Sequence, residues 1–334
     1  MYHLKFLKTI FNDFVKLYTD PLDDFSDRLS SAISVTVLVM FAVMLSAKLY
    51  FAESLYFAES VACLFPPEHQ KLKHWNEYYT SRCFIEGTYR MTFQNRTTSL
   101  YMRGEHTDID LDSGKMSYYM WSPYVLVAFA FFFAIPKMFR NLCLHFAPVD
   151  YETVVIESRK LEALGDDEKY NKYLTAIMEI CCYSEKSRAF GVVVALGYVI
   201  MKWLYVINAC AQFSLLKTYI GDGEFKWGWD MLVNGVFYNQ QSRNFPVLSY
   251  CRIDIEAFTN EQVFDYPCVL PINVLNEKVY IFLWFWLLFV AAVSFFSALY
   301  ATIRFVNRQR KMKRINDYGI VAYLFVPKQL QCKA

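Results

Sequence analysis

Between Val279 and Ile303 the chain runs twenty-five residues without a charge, through the block Leu283-Trp284-Phe285-Trp286. At the helical rise of about 1.5 Å per residue that run reaches roughly 37 Å, enough to cross a hydrocarbon core of about 30 Å with some tilt. Its two flanks differ in chemistry. Upstream lies a loop holding Cys251 and Cys268; downstream, Arg304, Arg308, Arg310, Lys311, Lys313 and Arg314 crowd together with no acid among them. Basic flanks stay on the cytoplasmic side, so the cysteine-bearing loop is expected outside, where disulfides persist. One helix thus sets the expected topology of the rest.

Of the 334 residues 55% are hydrophobic, and they gather in four blocks rather than alternating with polar residues as in a soluble core. The reading is an all-α membrane protein with four transmembrane helices, a disulfide-stapled extracellular cap and a helical cytoplasmic loop. A net charge of only +2 gives no electrostatic case for nucleic acid as a partner. Lysines 5, 8 and 16 interrupt any apolar core of a secretory signal, so membrane entry is expected to rest on the first span.

Residues 1–28 read as an amphipathic helix plus linker: Leu4, Leu7, Phe11, Phe14 and Tyr18 share one face, Lys5, Lys8, Asn12 and Lys16 another. Periodicity alone favours an interfacial helix on the inner leaflet, with a segment folded into a pore as the other reading. The acidic stretch Asp20–Asp27 separates this helix from the first span, 29–48, which is rich in small residues suited to close helix contact. The first outer loop, 49–115, opens with a tandem repeat, LYFAES twice over residues 49–60, which either extends the helix or loops out. It also carries Cys63, Cys83 and a glycosylation acceptor at Asn95-Arg96-Thr97. The second span, 116–137, opens on an aromatic belt with Pro123 near its start, and Lys137 and Arg140 mark its cytoplasmic exit. A polar loop with helical stripes, 138–188, leads to the third span, 189–216. There Lys202 sits midway, and Asn208 and Gln212 suggest a polar face packed inside a bundle, with Lys202 snorkelling inward. The second outer loop, 217–277, the fourth span, 278–303, and a short basic cytoplasmic tail, 304–334, complete the order, with both termini inside.

No GxSxG, P-loop, HExxH or glycine-rich dinucleotide turn occurs, so no catalytic residue, metal site or cofactor is expected. The cysteines carry the clearer message. Five of nine fall in spans or cytoplasmic parts, and Cys63, Cys83, Cys251 and Cys268 fall two to each outer loop. Four cysteines allow three pairings, and the sequence does not choose among them. Bridges in matched outer loops suit a surface that holds its shape against another molecule.

Tyr118-Tyr119-Met120-Trp121-Ser122-Pro123 at the start of the second span resembles the innexin signature. So do the two cysteines per outer loop, Phe245-Pro246 before Cys251, and Asn276-Glu277-Lys278 leading into Phe282-Leu283-Trp284-Phe285-Trp286. The resemblance runs from Asp27-Arg28-Leu29 to the basic tail. Met120 and Ser122 stand where the family usually has Gln and Val, the LYFAES duplication lengthens the link to Cys63, and the tail is short. The resemblance implies a subunit of an octameric large-pore channel in the plasma membrane, assembled from like or mixed innexin-type subunits among membrane lipids. Two such hemichannels dock across the extracellular gap as a gap junction for ions and small metabolites. It also places the amino-terminal helix in the pore mouth, which would turn Lys5, Lys8 and Asn12 toward the lumen, and it implies that all four outer cysteines are oxidised. An undocked hemichannel, as in the related pannexins, is the alternative that a glycan on Asn95 would favour. A four-span adhesion or scaffold protein without a pore fits less well, since the cysteine motifs of tetraspanins and claudins are missing.

Overall fold

The structure is a computed structural model that describes residues 20–50, 60–65, 73–90, 115–145, 152, 155–156, 185–221, 223–237, 244–257 and 260–312. The expectations for Lys5, Lys8, Asn12 and Asn95, most of those for the 138–188 loop, and those for the tail beyond Met312 lie outside these residues. Four helices are long and apolar enough to cross a membrane: α1 (Phe25–Tyr50), α3 (Tyr118–His145), α4 (Glu185–Tyr219, apolar over Val192–Tyr219) and α6 (Pro271–Met312, apolar over Pro271–Asn307). α2 (Lys73–Glu86) and α5 (Trp227–Phe237) are shorter helices in the two loops that flank the α3–α4 pair. Glu152, Val155 and Ile156, within the 138–188 loop, are helical as well.

The chain divides into two compact units, one of Met1–Val37, Phe129–Phe213 and Leu287–Ala334, the other of Leu38–Ala128 and Ser214–Trp286. Every long helix contributes a stretch to each. In the first unit, α4 packs on α6 through a core of Tyr198, Val199, Met201, Tyr205 and Ala301, flanked by Trp203 and Phe305. The Trp203 indole N–H donates to Thr302 Oγ1 at 3.1 Å, and the buried Gln212 donates to the Phe129 carbonyl of α3 at 3.0 Å. Paired serines join α1 to α6: Ser26 to Ser297 at 2.7 Å and Ser30 to Ser294 at 3.0 Å. Small hydroxyl residues let the two backbones approach while satisfying each other in an apolar setting, which is their use in membrane helices. The first turns of α1 are not uniform. Leu29–Ile33 forms a π turn, in which the Ser34 N–H reaches back five residues to the Leu29 carbonyl.

The second unit adds what the four-span reading does not contain, a five-stranded antiparallel sheet in the order β1-β5-β4-β2-β3. Its strands are β1 (Ala62–Cys63), β2 (Thr88–Arg90), β3 (Lys115–Met116), β4 (Leu248–Ala257) and β5 (Asn260–Val269). β4 and β5 form one long hairpin paired from Leu248↔Val269 to Ala257↔Asn260. The period-two alternation of Cys251 and Ile253 with Arg252 and Asp254 explains it: the former pair is buried, the latter is not. β1 on one side and β2–β3 on the other come from the loop between α1 and α3, so the sheet is built from both loops. Ser60, which ends the second LYFAES copy, donates to the Lys48 carbonyl at 2.7 Å, so the two ends of the duplicated stretch meet.

Gly87 closes α2 with φ +90°, and its N–H bonds back to the Cys83 carbonyl. A Cβ there would meet the Met116 carbonyl oxygen of β3 at 2.8 Å. Gly87→Ala is expected to cost about 1–2 kcal/mol or more, because the left-handed backbone and the close approach both exclude a side chain. Thermal unfolding of the purified protein in detergent checks this, with Gly223→Ala as comparison: Gly223 shares the positive φ but has open space around it.

Candidate functional site

Two constellations stand out, one in each unit. In the second, two disulfides tie the loops together. Cys63 bonds Cys268, its direct partner in the β1–β5 register, and Cys83 on α2 bonds Cys251 on β4. Each bridge joins the loop that follows α1 to the loop that precedes α6. The sulfurs of Cys63, Cys83 and Cys268 lie within 4.8 Å of one another, so the two bridges are immediate neighbours, with each of these sulfurs already bonded in a disulfide. Around them the rings of Phe65, Tyr79 and Tyr266 pack with centroids 5.0 to 5.7 Å apart. Arg252 grips Asp265 across the hairpin through two hydrogen bonds of 2.8 and 2.9 Å, and its guanidinium lies 5.9 Å from the Tyr89 ring centre. That exposed pair orients the hairpin more than it stabilises it.

The motifs scattered along the sequence converge beneath this sheet. Tyr119 is fully buried and donates to the Phe84 carbonyl of α2 at 3.1 Å. Tyr118 donates to the Asn244 carbonyl at 3.3 Å and meets Phe245 edge-on, and Phe245 stacks on Tyr280 with centroids 5.6 Å apart. Asn273 donates to the Pro246 carbonyl at 2.7 Å, which fixes the first turn of α6 to the strand entry. The Tyr118-Tyr119 pair, Phe245-Pro246 and the start of α6 are therefore one junction, joining both loops to their helices. Trp121 and Pro123 belong to the same turns of α3; Trp121 is exposed beside Tyr124, with ring centres 6.0 Å apart.

The constellation in the first unit was not legible as a site in the sequence. The stretch read there as a separator, Asp20–Asp27, is a seat of four carboxylates answered, among the described residues, by three cations from two spans. Lys137 of α3 pairs with Asp23 at 2.6 Å and Asp20 at 3.3 Å, and Arg140 one turn on grips both as well. The Asp20 carboxyl, just outside the span, is pulled up by burial. Arg140, the Leu22 N–H and Lys137 outweigh that and hold it below the ordinary carboxylate value. Lys202 of α4 is buried and reaches the acidic stretch. Its ammonium is enclosed by Asp27 at 2.8 Å, Ser26 at 2.9 Å, Ser297 of α6 at 3.0 Å and Asp24 at 3.3 Å. Tyr198, one turn earlier, donates to Asp24 at 2.6 Å. The signal for this cluster was present. Asp20, Asp23, Asp24 and Asp27 recur at helical spacing, and a lysine inside an apolar span needs an anionic partner.

Comparison with known proteins finds relatives along most of the chain. The chain is 30% identical to Innexin-16 of Caenorhabditis elegans over 266 residues, covering 78% of this chain and 66% of that protein. It is 27% identical to Innexin-3 and 25% identical to Innexin unc-9 of the same organism, covering 83% and 92% of this chain and 66% and 81% of those proteins. The chain thus spans just under two thirds of the length of Innexin-16 and Innexin-3. The family model for Innexin matches residues 23–332, from Asp23 in the ionic seat to beyond the end of α6. The matched residues take in the seat from Asp23 onward, the four helices and both bridges, and the chain belongs to the innexin family.

Proposed function

We propose that this chain is a subunit of a large-pore channel that assembles around a central pore and docks with an opposed hemichannel to form a gap junction passing ions and small metabolites. Membership of the innexin family, matched over residues 23–332, carries the reading. The sheet built from both loops supports it, since two adjacent disulfides hold that surface to one shape, as docking against a rigid partner requires. The basic cluster from Arg304 to Arg314 sets the cytoplasmic side, so the stapled sheet faces outward and both termini face inward in a multi-pass plasma-membrane protein. Eight subunits, alike or mixed, are the proposed assembly. The helices suit a surround of lipid and neighbouring subunits, for Met40, Phe131, Ile207 and Phe296 are each more than half exposed.

In this reading the amino-terminal segment enters the pore mouth and turns Lys5, Lys8 and Asn12 to the lumen, where rings of positive charge disfavour cations. Lys5→Glu and Lys8→Glu should each move the reversal potential in asymmetric salt toward that of the cation. An unchanged reversal potential in both removes these residues from the lumen. The channel reading itself is tested by dye uptake and membrane current in single cells expressing the chain. The second reading, an undocked hemichannel releasing small solutes, is favoured by the acceptor at Asn95, where a glycan would oppose close approach of two caps.

A further inference from the structure

The ionic seat divides unequally between its cations. Lys137 and Arg140 share Asp20 and Asp23, so each carboxylate there has two cationic partners. Among the described residues Lys202 answers the other half. Of its two acids, Asp24 is 68% exposed and can be met by water, whereas Asp27 is 1% exposed and has no other cation among the described residues. The same ammonium touches Ser26 of α1 and Ser297 of α6, which themselves bond at 2.7 Å. One side chain from α4 therefore fastens the start of α1 to α6.

What lies immediately after that fastening is the π turn Leu29–Ile33. Hydroxyls add to the carbonyls at and just before it: Ser31 donates to the Asp27 carbonyl at 2.7 Å and Ser34 to the Leu29 carbonyl at 2.8 Å. A π turn carries one residue more than the α-helical ladder needs, and such turns are frequent at functional sites. Closing it to α-helix would rotate everything upstream by about 100° and shift it by about 1.5 Å along the axis. That rotation would carry Asp27 off Lys202. The pair and the π turn are thus coupled, each holding only with the other.

We propose that Lys202 is a positioning residue of the channel: its pairing with Asp27 holds the first span in the π register, and release of that pair lets the segment Asp20–Arg28 rotate. Residues 1–19 precede that segment in the chain, so a rotation of Asp20–Arg28 acts on their point of attachment. The consequence for gating rests on the channel reading above; the seating itself does not. Two readouts separate them. The first is carbodiimide labelling of Asp27 in native membranes, quantified by mass spectrometry. The second is the voltage dependence of current per surface channel.

Asp27 should label at least tenfold faster in Lys202→Met than in the wild type, and Lys202→Arg, which keeps the charge, should restore protection. The voltage of half-maximal conductance should be displaced in Lys202→Met and return toward wild type in Lys202→Met/Asp27→Asn, which leaves no orphan charge. A Lys202→Met chain that fails to reach the surface while the double variant does so carries the same message. Equal Asp27 labelling in wild type and Lys202→Met overturns the proposal, as does a double variant no better than the single one. Protection and exposure of Asp27 as expected, with no current from any variant, would leave the seating standing and remove the channel reading.

Discussion

Cys63→Ser is expected to be more damaging than the double substitution Cys63→Ser/Cys268→Ser. Removing a native bridge costs about 2–5 kcal/mol, and because Cys83–Cys251 is nested inside Cys63–Cys268, the chain that the outer bridge additionally closes is much shorter than its sequence separation of 205 residues. The single variant adds a second injury. It frees the Cys268 thiol within 4.8 Å of a sulfur of the neighbouring Cys83–Cys251 bridge, where a thiolate can attack and exchange partners. The double variant loses the same bridge but leaves no attacking thiol. Surface biotinylation should rank wild type above the double variant and the double variant above the single one. Non-reducing mass spectrometry should find Cys268 joined to Cys83 or Cys251 in the single variant only. Equal surface levels and no mixed pairing would show that the two bridges do not communicate.

Asp23→Asn should be strongly destabilising. Its carboxylate is 1% exposed and is gripped by both Lys137 and Arg140, whose side chains are themselves almost wholly enclosed. Breaking a buried pair from one side leaves uncompensated charge and costs about 3–5 kcal/mol. Arg252→Ala, which removes an exposed hairpin pair, should cost no more than about 1 kcal/mol. Thermal unfolding of the detergent-solubilised protein, read by loss of the assembled peak in size-exclusion chromatography, separates the two. The pH response has a defined sign. Because Asp20 titrates below its unfolded value, its pairings contribute fully from about pH 5 upward and are lost only as acid carries the pH down through the lowered folded value.

The four spans were legible because apolar runs of this length leave few alternatives to a membrane helix. The sheet was less so. β1 and β3 are two residues each, too short for any periodicity, and the pairing of Cys63 with Cys268 rests on the β1–β5 register they create. The hairpin did leave a trace, in Cys251 and Ile253 alternating with Arg252 and Asp254, but such a pattern in a loop between two apolar helices is easily read as irregular chain. The seat was hidden for a different reason. Asp20–Asp27 looks like a solvated charge run until Lys137, Arg140 and Lys202, more than a hundred residues away, are brought against it. The helical spacing of the four aspartates and the lysine inside an apolar span are local signals, but which cation meets which acid comes only from the fold. The stretches Tyr118-Tyr119, Phe245-Pro246 and Asn276-Glu277-Lys278 were visible as motifs, whereas the junction that makes them one unit comes only from the fold.

The most direct test of the proposed function is the junctional conductance between two cells that each express this chain alone, recorded with and without Asn95→Gln. The account predicts junctional current in the wild-type pair, with Asn95→Gln equal to it or larger. Current across single-cell membranes without junctional current, restored by Asn95→Gln, would contradict docking by the native chain and leave the hemichannel. Silence in both recordings, with the protein confirmed at the surface, would contradict a channel formed by this subunit alone.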